Sequence, residues 1–146
     1  MASLDDNRLC ARTSASFRLV GDALRPDTVT AALDLTPTFA RAKDEEIPAG
    51  RVGKARRQRT GVWLISSEHA VDSTSLEVHL IHLLDAVEPT ARALDALCVE
   101  HDLGADFYCS WVSARGDGGP EISSTTLGRV AGLNAALGIE FFDDSD

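Results

Sequence analysis

The stretch FRLVGDALRPDTVTAALDLTPT, Phe17 to Thr38, fixes one unit of the architecture. Phe17, Leu19 and Gly21 alternate with Arg18 and Val20, the period-two pattern of a strand with one face on a core. Pro26 suits the first position of a helix, where its missing N–H costs nothing. Val29, Ala32 and Leu33 give that helix an inner face of about two turns, and Pro37 forbids its continuation. A second stretch, Phe107 to Phe142, repeats the order strand, Gly-rich turn, helix, strand. The expected fold is therefore α+β: a single domain over residues 16–143 with ferredoxin-like halves. Its sheet, antiparallel or mixed, should have about five to six strands, with helices mainly on one face.

Outward from these stretches the signals are uneven. Residues 1–15 are polar and lack periodicity, which predicts a disordered lead-in. An edge strand is expected near Ala40 to Ile47, followed by a mobile, poorly ordered loop through the glycines and charges that precede Gly61. GVWLIS, Gly61 to Ser66, reads as a strand buried on both faces. Thr74 and Glu77 spell a capping box for a helix entering at Ser75, and Leu76, Leu80, Leu83, Leu84 and Val87 form its apolar stripe. Pro89 breaks that helix. The next one turns Ala91, Leu94, Leu97 and Cys98 inward and ends at His101, Asp102 and Gly104. In ADFYCSWVS, Ala105 to Ser113, the side chains of Phe107, Cys109 and Trp111 share one face, and those of Tyr108, Ser110 and Val112 the other. RGDGGP, Arg115 to Pro120, is a turn. Ser123 or Ser124 caps a last helix through Leu127, Val130, Ala131 and Leu137, Gly138 stops it, and Ile139 to Phe142 returns as a strand before the acidic tail Asp143 to Asp146.

A chain of 146 residues can bury roughly 68–70% of its unfolded surface, so it needs no disulfide staple. Cys10, Cys98 and Cys109 are odd in number and lack C-x-x-C spacing, which argues against a disulfide framework or a zinc knuckle and for a reducing compartment. No apolar run approaches the roughly 18 residues of a membrane span, and no export signal is recognisable. A soluble cytoplasmic protein with no membrane association is expected. The formal net charge is −9, unevenly spread. Arg41, Lys43, Arg51, Lys54, Arg56, Arg57 and Arg59, against Asp44, Glu45 and Glu46, make one segment net +4 and leave −13 on the remainder. An acidic body of that size repels nucleic acid and steers toward basic partners.

Each candidate chemistry competes with a plainer reading. His79 and His82 have a spacing that suits two metal ligands, but a helical projection puts both away from the Leu stripe and no further ligand accompanies them, so no metal site and no cofactor is expected. Ser66, Ser67, Glu68 and His69 offer the residue types of a nucleophilic triad, yet neighbours along a strand end point apart and there is no G-x-S-x-G elbow. Gly116 to Gly119 could present backbone N–H groups to a phosphate, but no Lys-Ser/Thr pair follows. The basic loop with Arg56, Arg57 and Arg59 has no aromatic residue to stack on a base, so it reads as a contact to an acidic partner or to the protein's own acidic face, with no nucleic acid expected. Val78 and Ile81, on the back of the helix beside His82, hint at burial by another element or a second chain.

Phe17-x-Leu19-x-Gly21, Leu24-x-Pro26-Asp27, Leu33-x-Leu35-x-Pro37-Thr38, Gly61-Val62-Trp63, Leu83-Leu84 with Glu88-Pro89, and Tyr108-Cys109-x-Trp111 together resemble the bacterial family known as domain of unknown function 4279, over about Ser16 to Phe142. The resemblance implies a fold and carries over no catalytic residue. Small acidic bacterial proteins of this sort are often immunity proteins. The leading expectation is a non-enzymatic protein-binding module of immunity type whose acidic surface engages a protein partner, in its sharpest form a basic toxin domain. Val78, Ile81, His82, Arg56, Arg57 and Arg59 are the expected contacts. The first alternative is an enzyme or small-ligand domain with a pocket between sheet and helices near Trp63, His69, Tyr108 and Trp111. The second is a homodimeric structural subunit joined through the helix bearing Val78 and Ile81.

Overall fold

Strand β1, Cys10–Gly21, starts well before the expected boundary at residue 16. A computed structural model describes residues 7–50 and 53–144. The disordered lead-in is thus corrected for residues 10–15; the first six residues lie outside the described ones. Polar alternation hid this part of β1. Cys10 and Ala15 are its buried positions, and its backbone is paired, with the Leu9 carbonyl accepting from the Ala114 N–H.

After β1 come α1 (Pro26–Leu33), β2 (Phe39–Arg41), β3 (Glu46–Ile47), β4 (Arg56–Arg57), β5 (Gly61–Ser66) and α2 (Leu76–Val87). A 3-10 turn (Glu88–Thr90) leads to α3 (Ala91–His101), β6 (Gly104–Ser113), α4 (Ser124–Gly132) and β7 (Ala136–Asp143). The result is an α+β fold whose mixed sheet has five strands in the order β2-β5-β1-β6-β7, with β3 and β4 as a separate ribbon. β6 and β7 are parallel neighbours joined through α4, a strand-helix-strand crossover. The strands flanking α1 are not neighbours, because β5 lies between β1 and β2 and runs antiparallel to β2. The two halves therefore share an order of elements but not a pairing.

Contacts gather the chain into two compact units. One holds the described residues up to Phe17, Ser66–Pro89 and the described residues from Asp106 on; the other holds Arg18–Ile65 and Thr90–Ala105. In the first, the whole expected stripe of α2 is buried, beside Phe17, Phe107, Cys109 and Trp111. Burying one such Leu contributes about 1.5–3 kcal/mol. In the second, Leu19, Leu24, Val29, Leu33, Trp63, Leu94, Leu97 and Leu103 are buried. Ala32, expected on the inner face of α1, is exposed. β5 is buried on one face only, at Gly61 and Trp63; Val62, Leu64 and Ile65 are half-buried.

Several stops and caps differ from expectation in detail. α1 ends before Pro37, at Asp34 in the left-handed region (φ 52°), whose N–H donates to the Thr30 carbonyl. α3 ends the same way at Asp102 (φ 53°). Both are Asp where glycine is the common choice. At α2 the Ser75 hydroxyl accepts from the Val78 N–H, but Glu77 does not close a capping box. Its carboxylate accepts instead from the Ser123 N–H (2.8 Å) and the Thr126 hydroxyl (2.7 Å). The segment expected as a mobile loop also contains order: β3 and β4 pair antiparallel, Glu46 opposite Arg57 and Ile47 opposite Arg56.

Gly61 has a steric reason. A Cβ there would lie 2.6 Å from the Gly21 carbonyl oxygen and 2.9 Å from the Leu24 Cβ, and backbone cannot step aside. Gly61→Ala should therefore lower stability by about 1–3 kcal/mol, the usual cost of overpacking, read as a shift in the chemical-denaturation midpoint.

Candidate functional site

Ser67 and His79 are fully buried, with 0% and 1% of their surface exposed. Their burial corrects the sequence reading, in which His79 sat on a solvated helix face. A continuous chain of hydrogen bonds explains it. The Ala15 N–H donates to the Ser67 Oγ (2.9 Å), and the Ser67 Oγ lies 2.6 Å from the His79 Nδ1. The His79 Nε2 lies 2.8 Å from the Ser73 carbonyl oxygen. A carbonyl only accepts, so Nε2 carries the proton, Nδ1 accepts, and the Ser67 hydroxyl donates to it. Burial pushes the His79 pKa down, against the opposing effect of the Ser73 bond. This pair has the elements of a nucleophile and its base, but nothing from solvent reaches either atom, and the imidazole is held neutral in one tautomer. It is a structural lock joining β1, the exit of β5 and the entry of α2. The triad neighbours seen in the sequence are not part of it: Glu68 and His69 are exposed.

With α2 fixed, α4 is placed by charge. Glu77 receives the N-terminus of α4, and at the other end Arg129 donates to Glu88 (3.1 Å) and to Asp85 (2.8 Å). The two helices therefore run side by side in the same direction. Hydrogen bonds from Ser123, then Thr126, hold Glu77 below the usual carboxylate range, and the Arg129 guanidinium does the same for Glu88.

α4 delivers β7 to the edge of the sheet, and the most distinctive surface lies there. In register, Trp111 faces Phe141 and Val112 faces Phe142. The Trp111 and Phe141 rings meet edge-on at 6.1 Å. Trp111 is 1% exposed, whereas Phe141 is 59% and Phe142 47% exposed. A cleft of about 200 Å³ opens beside them, lined by Trp111, Ser113, Gly116–Gly118, Phe141, Phe142 and Asp143. Its glycine wall is held by Ser113. That hydroxyl accepts from the Arg115 and Gly116 N–H groups (3.3 and 2.8 Å) and donates to the Asp117 carbonyl (2.7 Å). Gly118 has φ 83°, and a Cβ there would meet the Leu9 side chain at 2.6 Å. The Trp111 indole N–H is buried without an acceptor among the described residues, a condition that costs about 1–3 kcal/mol.

Other clefts are less well suited to a ligand. One of about 270 Å³ is lined by Arg12, Thr13, Glu68, Asp72, Ser73 and Thr74, among others. Three of its hydroxyls are engaged within the protein: Thr13 donates to the Ser110 carbonyl, Thr74 accepts from the Asn7 N–H, and Ser73 accepts from the Ser75 N–H. A wider groove of about 750 Å³ sets Arg25 and Lys43 against Asp22 and Asp27 at the start of α1. There Asp22 is already bound by Thr60 and Lys43.

The four residues expected to line a pocket fall in both compact units, Trp63 in the second and His69, Tyr108 and Trp111 in the first. Trp63 is buried, with its N–H donated to the Thr30 hydroxyl (3.1 Å). His69 is exposed, and Tyr108 is half-buried on the face of β6 opposite Trp111. The cleft that Trp111 lines contains none of the other three. Of the expected partner contacts, Val78 and Ile81 are half-buried on α2, while His82, Arg56, Arg57 and Arg59 are exposed. Arg57 donates to the Asp44 carbonyl (2.9 Å). Sequence reasoning missed Phe141 and Phe142 as surface residues. Their adjacency, one on each face of a strand, was the available signal.

Among the described residues no group of three His, Cys, Asp or Glu side chains could hold a metal ion, and no helix is long and apolar enough to cross a membrane. Cys10, Cys98 and Cys109 are free thiols. Burial, reinforced by Asp106, pushes the Cys109 pKa up to about 12, and burial also raises those of Cys10 and Cys98. None is an activated nucleophile.

Fold and site thus define an α+β protein with a mixed five-stranded sheet and an exposed aromatic cleft at one edge. The chain belongs to the family described as Domain of unknown function (DUF4279), which matches residues 11–143. Neither the curated proteins nor the solved structures include a match.

The lock has a pH signature. Folding lowers the His79 pKa from 6.5, so the unfolded chain binds its proton more readily than the folded one. This contribution to stability is complete above pH 6.5 and is lost as pH falls below it toward the lowered folded value. Glu77 and Glu88 contribute above the ordinary carboxylate pKa, and their share disappears at lower pH still. Denaturation midpoints should therefore fall in two stages on acidification, and His79→Leu should remove the first. Ser67→Ala, which strands the Ala15 N–H, should cost about 1–3 kcal/mol at neutral pH.

Proposed function

We propose that this chain is a non-enzymatic protein-recognition module, a cytoplasmic bacterial protein of the immunity type that uses an acidic surface to engage a basic partner. One observation carries the reading: the edge strand β7 exposes Phe141 on one face and Phe142 on the other, flanked by the exposed carboxylates of Glu140, Asp143 and Asp144. Exposed aromatics rimmed by charge mark interaction surfaces more often than ordinary surface. The net charge of −9 supports the sign of the partner, since opposite charge raises encounter rates. The buried Ser67–His79 pair and the raised thiol pKa values favour binding over catalysis. Three free thiols support a reducing compartment.

The other edge of the sheet sharpens the contrast. β2 has only three residues, and its exposed Phe39 is covered by the Arg41 guanidinium at 5.0 Å. A short edge strand carrying a cation is the usual protection against unwanted pairing. β7 has eight residues and no cation.

The test is capture of partners from the native host on tagged protein at low and high salt. The expected result is a basic protein retained at low salt, released as ionic strength rises, and retained less well by a Glu140→Lys/Asp143→Lys variant. Capture of no protein, or capture indifferent to both salt and charge reversal, would count against the reading.

A further inference from the structure

The surface at β7 specifies more than the sign of its partner. We infer that β7 accepts an extended segment of the partner as an added strand, with a Lys or Arg side chain of that segment seated in the Trp111 cleft. This inference rests on the protein-recognition reading above and adds its mode.

Three observations meet at one place. First, β7 ends the sheet, with β6 on one side and no strand on the other among the described residues. A long edge presents backbone donors and acceptors in the row that strand addition uses. Second, the cleft beside its C-terminal end is lined by Trp111 and Phe141, whose rings meet edge-on, and by Phe142, Asp117 and Asp143. Aromatic faces with carboxylates at their rim suit a cation on an apolar stem, which gains both ring and charge contacts. Third, the indole N–H of Trp111, one of the residues lining that cleft, is a fully buried donor without an acceptor among the described residues. A carbonyl of an incoming segment supplies what this donor lacks, once the exposed Phe141 ring lying edge-on to Trp111 shifts aside.

Charge decides which occupant fits. A second copy of this chain pairing β7 with β7 would set Glu140, Asp143 and Asp144 against the same residues of its twin, a like-charge arrangement that disfavours the pairing. A basic segment meets the opposite sign at Glu140 and Asp143, while Asp144 is ion-paired with Arg12 at 3.6 Å. The glycine wall does not need to form on binding, since Ser113 already holds it through three hydrogen bonds.

The test is selection from a displayed library of random twelve-residue peptides on the intact protein, followed by affinity measurement on wild type, Phe141→Ser and Trp111→Phe. Phe141 is exposed, so its replacement leaves the core alone and guards against a Trp111 variant that fails to fold. The inference expects selected peptides that alternate Lys or Arg with apolar residues, and at least about five-fold weaker binding to each variant, the loss set by one hydrogen bond or ring contact. Absence of binders, binders without basic residues, or affinities unchanged in Phe141→Ser would overturn it. A salt-sensitive basic protein captured from the host and held equally by wild type and Phe141→Ser would leave the recognition reading standing and sink the strand-addition mode alone. A dimer in light scattering that Phe141→Ser dissolves would replace the partner segment with a second copy.

Discussion

The hydrogen-bond chain from Ala15 through Ser67 and His79 to Ser73 is the constraint on which the first compact unit depends. A buried imidazole is tolerable only if both nitrogens are satisfied and the ring is neutral, and this chain meets both conditions with one serine and one carbonyl. It fixes where α2 begins relative to β1. The consequences run outward along α2. Glu77 leaves its own helix uncapped by a side chain at that position and terminates the neighbouring helix instead, and Asp85 and Glu88 grip Arg129 at the far end. These contacts at both ends set the position of α4 along α2. The chain leaving it is delivered to the open side of β6, where β7 pairs over eight residues. The aromatic cleft is the last link of this sequence.

A group of residues that looks catalytic in isolation is therefore architectural, and a residue pair that looks like ordinary core is surface. Ser67 and His79 lie at hydrogen-bond distance with the right tautomer for general-base chemistry, yet burial removes both substrate access and the proton exchange such chemistry requires. Phe141 and Phe142 are both exposed because strand geometry points successive side chains to opposite faces and the strand is the last in its sheet. An exposed Phe pair at an edge works against solubility and invites self-pairing. The carboxylates of Glu140 and Asp143 limit that hazard by like-charge repulsion.

Much of the fold was legible because local signals agreed with tertiary ones. The alternation at Phe17 and Leu19, the α2 stripe, the break at Pro89 and the alternation through Trp111 each depend on neighbours in sequence. What could not be read depended on partners distant in sequence. A helical projection puts His79 away from the Leu stripe, and only the loop carrying Ser67 and Ser73 encloses it. The Thr74-x-x-Glu77 spacing satisfies the capping-box pattern, but a competing helix N-terminus takes the carboxylate. Order in the basic segment comes from Glu46 facing Arg57 across the ribbon, which periodicity does not reveal. Trp111 was identifiable as a candidate and its cleft was not, since that cleft needs the parallel register that sets Phe141 beside it.

Amide hydrogen exchange, measured along β7 in the free protein and with a saturating basic peptide selected on it, tests the central claim most directly. The account predicts that amides within Ala136–Asp143 on the side away from β6 exchange fast in the free protein and become protected on binding, together with the Trp111 indole N–H. Protection confined to α2 or the β3–β4 ribbon, with β7 and Trp111 unchanged, would contradict it.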